Sequence, residues 1–217
     1  MNDDKNIELR RISAAPAEYR VERITREDGS VDTYIKGYGA VFEAYSKPIW
    51  GEWVEIISRS AFEGCDMSDV VMVADHARDV SSVLARSRSG EGTLKITVDE
   101  QGVAFRFKVP DTTKGRDLVA LIERGDISEC SFAFYVAEDT WTYDVDFGGK
   151  TYDVRRIDKV AKLVDLSIVV SGQYGQTSVS VEERTEAKAR KAEVSKLQKR
   201  NMSVRLAREI VSNLLSK

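Results

Sequence analysis

Residues 94–136, LKITVDEQGVAFRFKVPDTTKGRDLVALIERGDISECSFAFYV, contain the patterns from which the fold class follows. Leu94, Ile96 and Val98 alternate with polar neighbours, and Val103, Phe105, Phe107 and Val109 do the same, which is the period of half-buried strands. The connection Asp99-Glu100-Gln101-Gly102 ends in a glycine, as a hairpin turn favours. Pro110 closes the hairpin. Thr112 or Thr113 then caps a helix predicted over about 114–124, with Leu118, Leu121 and Ile122 as its apolar stripe. Gly125 stands where a C-terminal cap belongs. Ser128 to Val136 returns to strand character, with Phe132, Phe134 and Val136 on one face.

Outward from this stretch the pattern is again mostly strand. Val31, Thr33 and Ile35 alternate, and the run continues through Gly37, Gly39 and Val41. Glycine at two alternate positions predicts a bulge or a close backbone approach. Trp53–Ile57 reads as a short strand, and Val70–Ala74 as a buried one that leads straight into Asp75-His76. Leu166, Ile168 and Val170 form a late strand, and Ile12–Ile24 a strand or a loose arm. Strands do not alternate regularly with helices, which does not favour a doubly wound sheet. The expectation is an α+β, mainly β fold: a closed barrel with surrounding helices. The predicted organisation is an arm over 1–30, a folded domain over 31–180 and a helical tail over 181–217. The tail from Glu182 lacks Gly and Pro, and Val204, Ala207, Val211 and Leu214 make an apolar stripe at helical spacing.

The chain has 217 residues, 42% apolar and 32% charged, enough for one packed domain with an appendage. The net charge of −3 gives no global reason to expect nucleic acid. It is unevenly placed: residues 181–217 carry ten basic and five acidic groups, and the remainder a net −8. Cys65 and Cys130 are too few for a disulfide scaffold and read as reduced thiols. No apolar run is long enough to span a bilayer, and the acidic start Met1-Asn2-Asp3-Asp4 lacks a signal core, so a cytoplasmic protein is expected.

His76 is the only histidine, so any reaction needing imidazole must use it. Alone, it reads as a structural residue near Asp75 and Asp79, and no ligand spacing supports a metal. Ser131 lies in Glu129-Cys130-Ser131-Phe132-Ala133-Phe134, where Cys130 and Ser131 must point to opposite faces. No Gly-x-Ser-x-Gly elbow exists. Asp165, inside Leu163-Val164-Asp165-Leu166-Ser167, needs a partner because a buried unpaired carboxylate is costly. An imidazole or a basic side chain would serve. Gly148-Gly149-Lys150 lacks the spacing of a phosphate loop. Asp111, Asp117 and Asp126 read as a solvated helix face and its ends.

Several segments, in their order, resemble the prohead (capsid maturation) proteases of tailed phages. They are Gly37-Tyr38-Gly39-Ala40-Val41-Phe42, Ser60-Ala61-Phe62, Asp75-His76, Leu84-Ala85-Arg86-Ser87, Ser89-Gly90, Asp117 to Gly125-Asp126, Ser131-Phe132-Ala133-Phe134, Asp165-Leu166-Ser167-Ile168-Val169, and Tyr174 with Thr177. The resemblance implies a barrel like that of herpesvirus assemblin. It also implies a serine endopeptidase, packaged inside the procapsid in the host cytoplasm, that removes the scaffolding domain of the major capsid protein and cuts itself. In that reading Ser131 is the nucleophile and His76 its base. The family's third member is usually a glutamate in Glu-Val-Ser; here Asp165, one methylene shorter, holds the place. Arg86 is a candidate for lining the site. Arg59-Ser60-Ala61-Phe62 replaces the usual Pro-Gly-Ala-Phe, Ala77 follows the histidine, and Gly172-Gln173-Tyr174 replaces Pro-Ala-Tyr. The expected partners are the major capsid protein with its scaffolding domain and a second copy of the chain, with no cofactor, metal, membrane or nucleic acid. Two other readings stay open: a non-catalytic scaffold or capsid-assembly protein, and a cysteine hydrolase using Cys130.

Overall fold

The alternating runs are strands in the computed structural model, which describes residues 8–12, 20–49, 51–77 and 79–170. The chain divides into two units, Met1–Gln173 and Tyr174–Lys217, and every described residue lies in the first. The strands are β1 (Glu8–Ile12), β2 (Arg20–Thr25), β3 (Val31–Val41), β4 (Trp53–Ile57), β5 (Asp69–Ala74), β6 (Val83–Arg88), β7 (Glu91–Gly92), β8 (Leu94–Val98), β9 (Gly102–Lys108), β10 (Glu129–Asp146) and β11 (Thr151–Val169). Helix α1 spans Thr113–Arg124. The predicted tail helix and the residues after Val170 lie outside the described residues.

Helix α1 begins and ends as the sequence predicts. The Thr112 side chain accepts a hydrogen bond from the Gly115 N–H at 3.1 Å, and Gly125 adopts φ +81°, a left-handed cap. Leu118 and Ile122 are buried, and Glu123 pairs with Arg23 of β2.

The expected closed barrel is replaced, among the described residues, by two sheets and a single α-helix. The large sheet runs β1-β10-β11-β5-β6-β7, with β4 beside the first part of β11; the small one runs β2-β3-β9-β8. The chain changes sheet between β7 and β8, across Gly92 at φ +125°, and no ladder crosses there. Apolar packing joins the sheets instead. Ile35, Phe105 and Phe107 of the small sheet share one core with Met72, Phe132, Leu166 and Ile168 of the large one. Gly39 marks the close approach. The β3–β9 register shifts between Tyr38 and Ala40, and a Cβ on Gly39 would stand 2.3 Å from Leu166 Cδ2.

β10 and β11 are far longer than the alternation around Phe134 and Ile168 suggests. They continue as a two-stranded ribbon to a tight turn in which the Phe147 N–H bonds to the Lys150 carbonyl at 2.7 Å. Gly148 and Gly149 supply φ +65° and +93° there, as a two-residue hairpin turn requires. The ribbon is anchored where Trp141 meets Trp53 of β4, with centroids 5.3 Å apart. Beside them the Arg155 guanidinium reaches Asp139 at 2.7 Å and buried Glu55 at 3.3 Å.

Candidate active site

The apolar run of β5 delivers His76 through a tight turn. The Ala77 N–H bonds back to the Ala74 carbonyl at 3.1 Å, and Asp75 and His76 adopt φ +54° and +52°. Two successive left-handed residues define a primed turn, and Asp and His are among the few non-glycine residues that enter this region readily. Such conformations persist only where the surroundings hold them. Here β11 does so: the Asp75 N–H bonds to the Ile168 carbonyl at 3.0 Å, and the His76 N–H donates to Ser167 Oγ at 2.8 Å.

The pairing of β10 with β11 places the other groups. Ser131 stands opposite Ser167, and Ala133 opposite Asp165. Directly opposed residues share a face, so Ser131, Asp165 and Ser167 lie on one side of the sheet. Cys130, Phe132, Leu166 and Ile168, at the alternate positions, enter the core. β5 lies parallel on the far side of β11, with Ser167 beside Val73, so the turn after β5 carries the imidazole over the same face. His76 Nδ1 lies 2.8 Å from Asp165 Oδ1, and its Nε2 lies 2.5 Å from Ser131 Oγ. Ser131 and Ser167 are fully buried and Asp165 nearly so, at 5% exposure. A carboxylate accepts at Nδ1, which favours the tautomer that leaves Nε2 free to take the Ser131 hydroxyl proton.

The three residues singled out from sequence are therefore brought together, and the other candidates are not. Asp165 is the carboxylate at Nδ1. Asp79 accepts hydrogen bonds from the Ser81 and Ser82 hydroxyls, which, with the Lys114 ammonium nearby, hold its carboxyl down to about 2. Arg86 shares the site's face, since it pairs with Val71, which pairs with Asp165. That puts it two strands, about 10 Å, from Asp165, and its guanidinium is held by Asp69 at 2.5 and 2.7 Å. Cys130 is buried on the opposite side of β10 from Ser131. Burial pushes the Cys65 thiol up to about 11. Asp111 and Asp126 pair with Arg116 and Arg124, and Asp117 is exposed on α1, as a solvated helix face should be. Gly148-Gly149 is the ribbon turn. Among the described residues no cluster of three or more His, Cys, Asp or Glu could hold a metal ion, and no helix is long and apolar enough to cross a membrane.

Ser167, whose hydroxyl holds the His76 backbone, was not singled out from the sequence. The available signal was parity: Asp165 and Ser167 are the two polar residues spaced by one apolar residue in an otherwise buried strand end. A hydroxyl, an imidazole and a carboxylate in hydrogen-bonded series can generate a nucleophile for acyl transfer.

Comparison with known proteins bears on this chemistry. A family model described as caudovirus prohead serine protease matches residues 19–192. No curated protein sequence matches the chain. Among solved structures, the capsid assembly protease of bacteriophage T4 superposes with a TM-score of 0.50 at 12% identity, over 77% of this chain and 98% of that one. At that identity the likeness is one of fold.

Proposed function

We propose, from the premise that this chain belongs to the caudovirus prohead serine protease family, that it is a capsid maturation endopeptidase whose nucleophile is Ser131. The observation behind the assignment is the unbroken series Ser131 Oγ, His76 Nε2, His76 Nδ1, Asp165 Oδ1, with contacts of 2.5 and 2.8 Å. Ser131 Oγ attacks the scissile carbonyl carbon while His76 Nε2 takes its proton. The tetrahedral adduct collapses as the imidazolium returns that proton to the leaving amine, which leaves an ester on Ser131. Water then attacks the ester, gives a proton to Nε2, and Ser131 is regenerated. Asp165 holds the Nδ1 proton and stabilises the imidazolium. Its shorter side chain suffices because the turn after β5, pinned by Ser167 and the Ile168 carbonyl, brings the imidazole down to β11.

The substrate in this reading is the scaffolding part of the major capsid protein, with cleavage of the chain itself alongside, inside the procapsid in the host cytoplasm. The domain over 31–180 performs the chemistry. Residues 182–217 act as a basic docking segment for an acidic scaffold region or a second copy of the chain.

The test is co-expression with the major capsid protein, with processing read by mass spectrometry. Ser131→Ala and His76→Ala should each abolish cleavage in a folded protein, because a triad acts as a unit. Asp165→Asn should lower turnover by about 10⁴-fold, and Asp165→Glu by far less. Cys130→Ser should process normally. Normal cleavage by folded Ser131→Ala would end the serine-protease reading, loss of cleavage confined to Cys130→Ser would favour the thiol, and no cleavage by any form, wild type included, would favour the non-catalytic assembly reading.

A further inference from the structure

Ser131 sits in a strand with two edges. One edge is held by β11, which carries Asp165 and also pairs with β4 and β5. The other is held beside the serine, among the described residues, by β1, with Arg11 opposite Ser131, Arg10 opposite Phe132 and Leu9 opposite Ala133. β1 is five residues long and pairs, among the described strands, with β10 alone, so it stands at the edge of the described sheet. Ser131 itself has no exposed surface. A polypeptide can reach Oγ only if something beside it moves.

On the serine-protease reading above, we infer that the edge of β10 beside Ser131 is the docking strand for the substrate backbone, and that residues 8–12 occupy it as a displaceable stand-in. Strand addition suits a protease, because main-chain hydrogen bonds hold an extended peptide whatever its side chains and keep its carbonyls in line. The β11 edge cannot be vacated without removing Asp165 and splitting the large sheet. β1 is the cheapest element to displace, since an edge strand gives up one ladder and leaves the rest of the sheet paired. Being tethered, β1 competes with any incoming peptide at an effective concentration in the millimolar range. Such competition raises the KM for substrate and leaves kcat in place.

The experiment compares the full chain with the full chain carrying Leu9→Pro and Arg10→Pro. Adjacent prolines are needed because only alternate N–H groups of an edge strand point at its partner. The probes are a fluorescein-labelled peptide of residues 6–14 of this chain and unfolded, dye-labelled casein. With Ser131→Ala in both forms to prevent cleavage, the double-proline chain should bind the peptide at least ~10-fold more tightly. With Ser131 present, it should hydrolyse casein with a KM lower by a similar factor and kcat within about two-fold. Equal peptide binding by a folded double-proline chain overturns the inference. So does unfolding of both that variant and a chain lacking residues 1–12, since β1 would then be a permanent part of the sheet. Tighter peptide binding with no casein hydrolysis by any form supports the strand exchange and counts instead against the serine chemistry.

Discussion

At the scale of single residues, one hydroxyl outside the proposed triad touches the backbone that carries its histidine. Ser167 Oγ accepts the N–H of His76 and so holds a left-handed histidine over Ser131. Ser167→Ala leaves that N–H without its acceptor, at a cost of about 1–3 kcal/mol, and frees the imidazole to tilt. We expect kcat to fall by roughly 10–100-fold with KM nearly unchanged, and Ser167→Thr to restore most of it. On the proposed assignment Nε2 of His76 must be free to take the Ser131 proton, so cleavage should slow in acid, and a rate profile insensitive to acid would remove His76 from the base role. His76 was legible in the sequence because no other histidine exists. Ser131 and Asp165 were legible only through the company of neighbouring motifs, since a serine or an aspartate in a strand has many bland explanations. Ser167 was illegible as a positioning group, because its partner is a backbone N–H, which every residue has.

Elements with one wet and one dry face were legible, and elements held by charge were not. The runs of β3, β4, β8 and β9 and the caps of α1 follow directly from periodicity and turn residues. The outer halves of β10 and β11 alternate too, with Asp139, Trp141, Tyr143 and Val145 half-buried between exposed neighbours. Their inward side mixes aromatics with acids, and so resembles a loop to any count of apolar residues. What makes an acid tolerable there is Arg155, which sits three strand positions from Tyr152 in sequence yet answers Asp139 and Glu55 across two different strands. Arg155→Ala would remove the guanidinium that lies between the buried Glu55 carboxylate and Asp139, and we expect a loss of about 3–5 kcal/mol in urea unfolding. Arg155→Met combined with Glu55→Gln and Asp139→Asn should recover much of it. The double glycine at 148–149 was the missed cue: as a phosphate loop it fails on spacing, but as a hairpin turn it fits.

For the whole molecule, the buried core formed by both sheets runs, among the described residues, from Ile35 to Ile168, with Val21 of β2 packed against it. Residues 1–180 carry a net −8 and residues 181–217 a net +5, and the docking role proposed for the tail can be tested apart from the chemistry. A chain ending at Glu183 should remain folded and cleave a short peptide, yet be poorly incorporated into procapsids. Unfolding of the shortened chain would make the tail a part of the core and end the docking idea. The barrel expected from sequence was lost at this scale, because periodicity identifies strands and says nothing of which edges meet. The position of β11 also sets a clock. It is the last strand of the described fold, yet it lies in the middle of the large sheet, between β10 and β5. His76 and Asp165 are separated by 89 residues. At 5–20 residues per second a ribosome needs on the order of 10 s to travel from one to the other. Throughout that interval the nascent chain has its histidine and, for little more than the last third of it, its serine, but no β11 to set them against. The proposed triad therefore cannot assemble, and cannot attack anything near its birthplace, until β11 itself has been made.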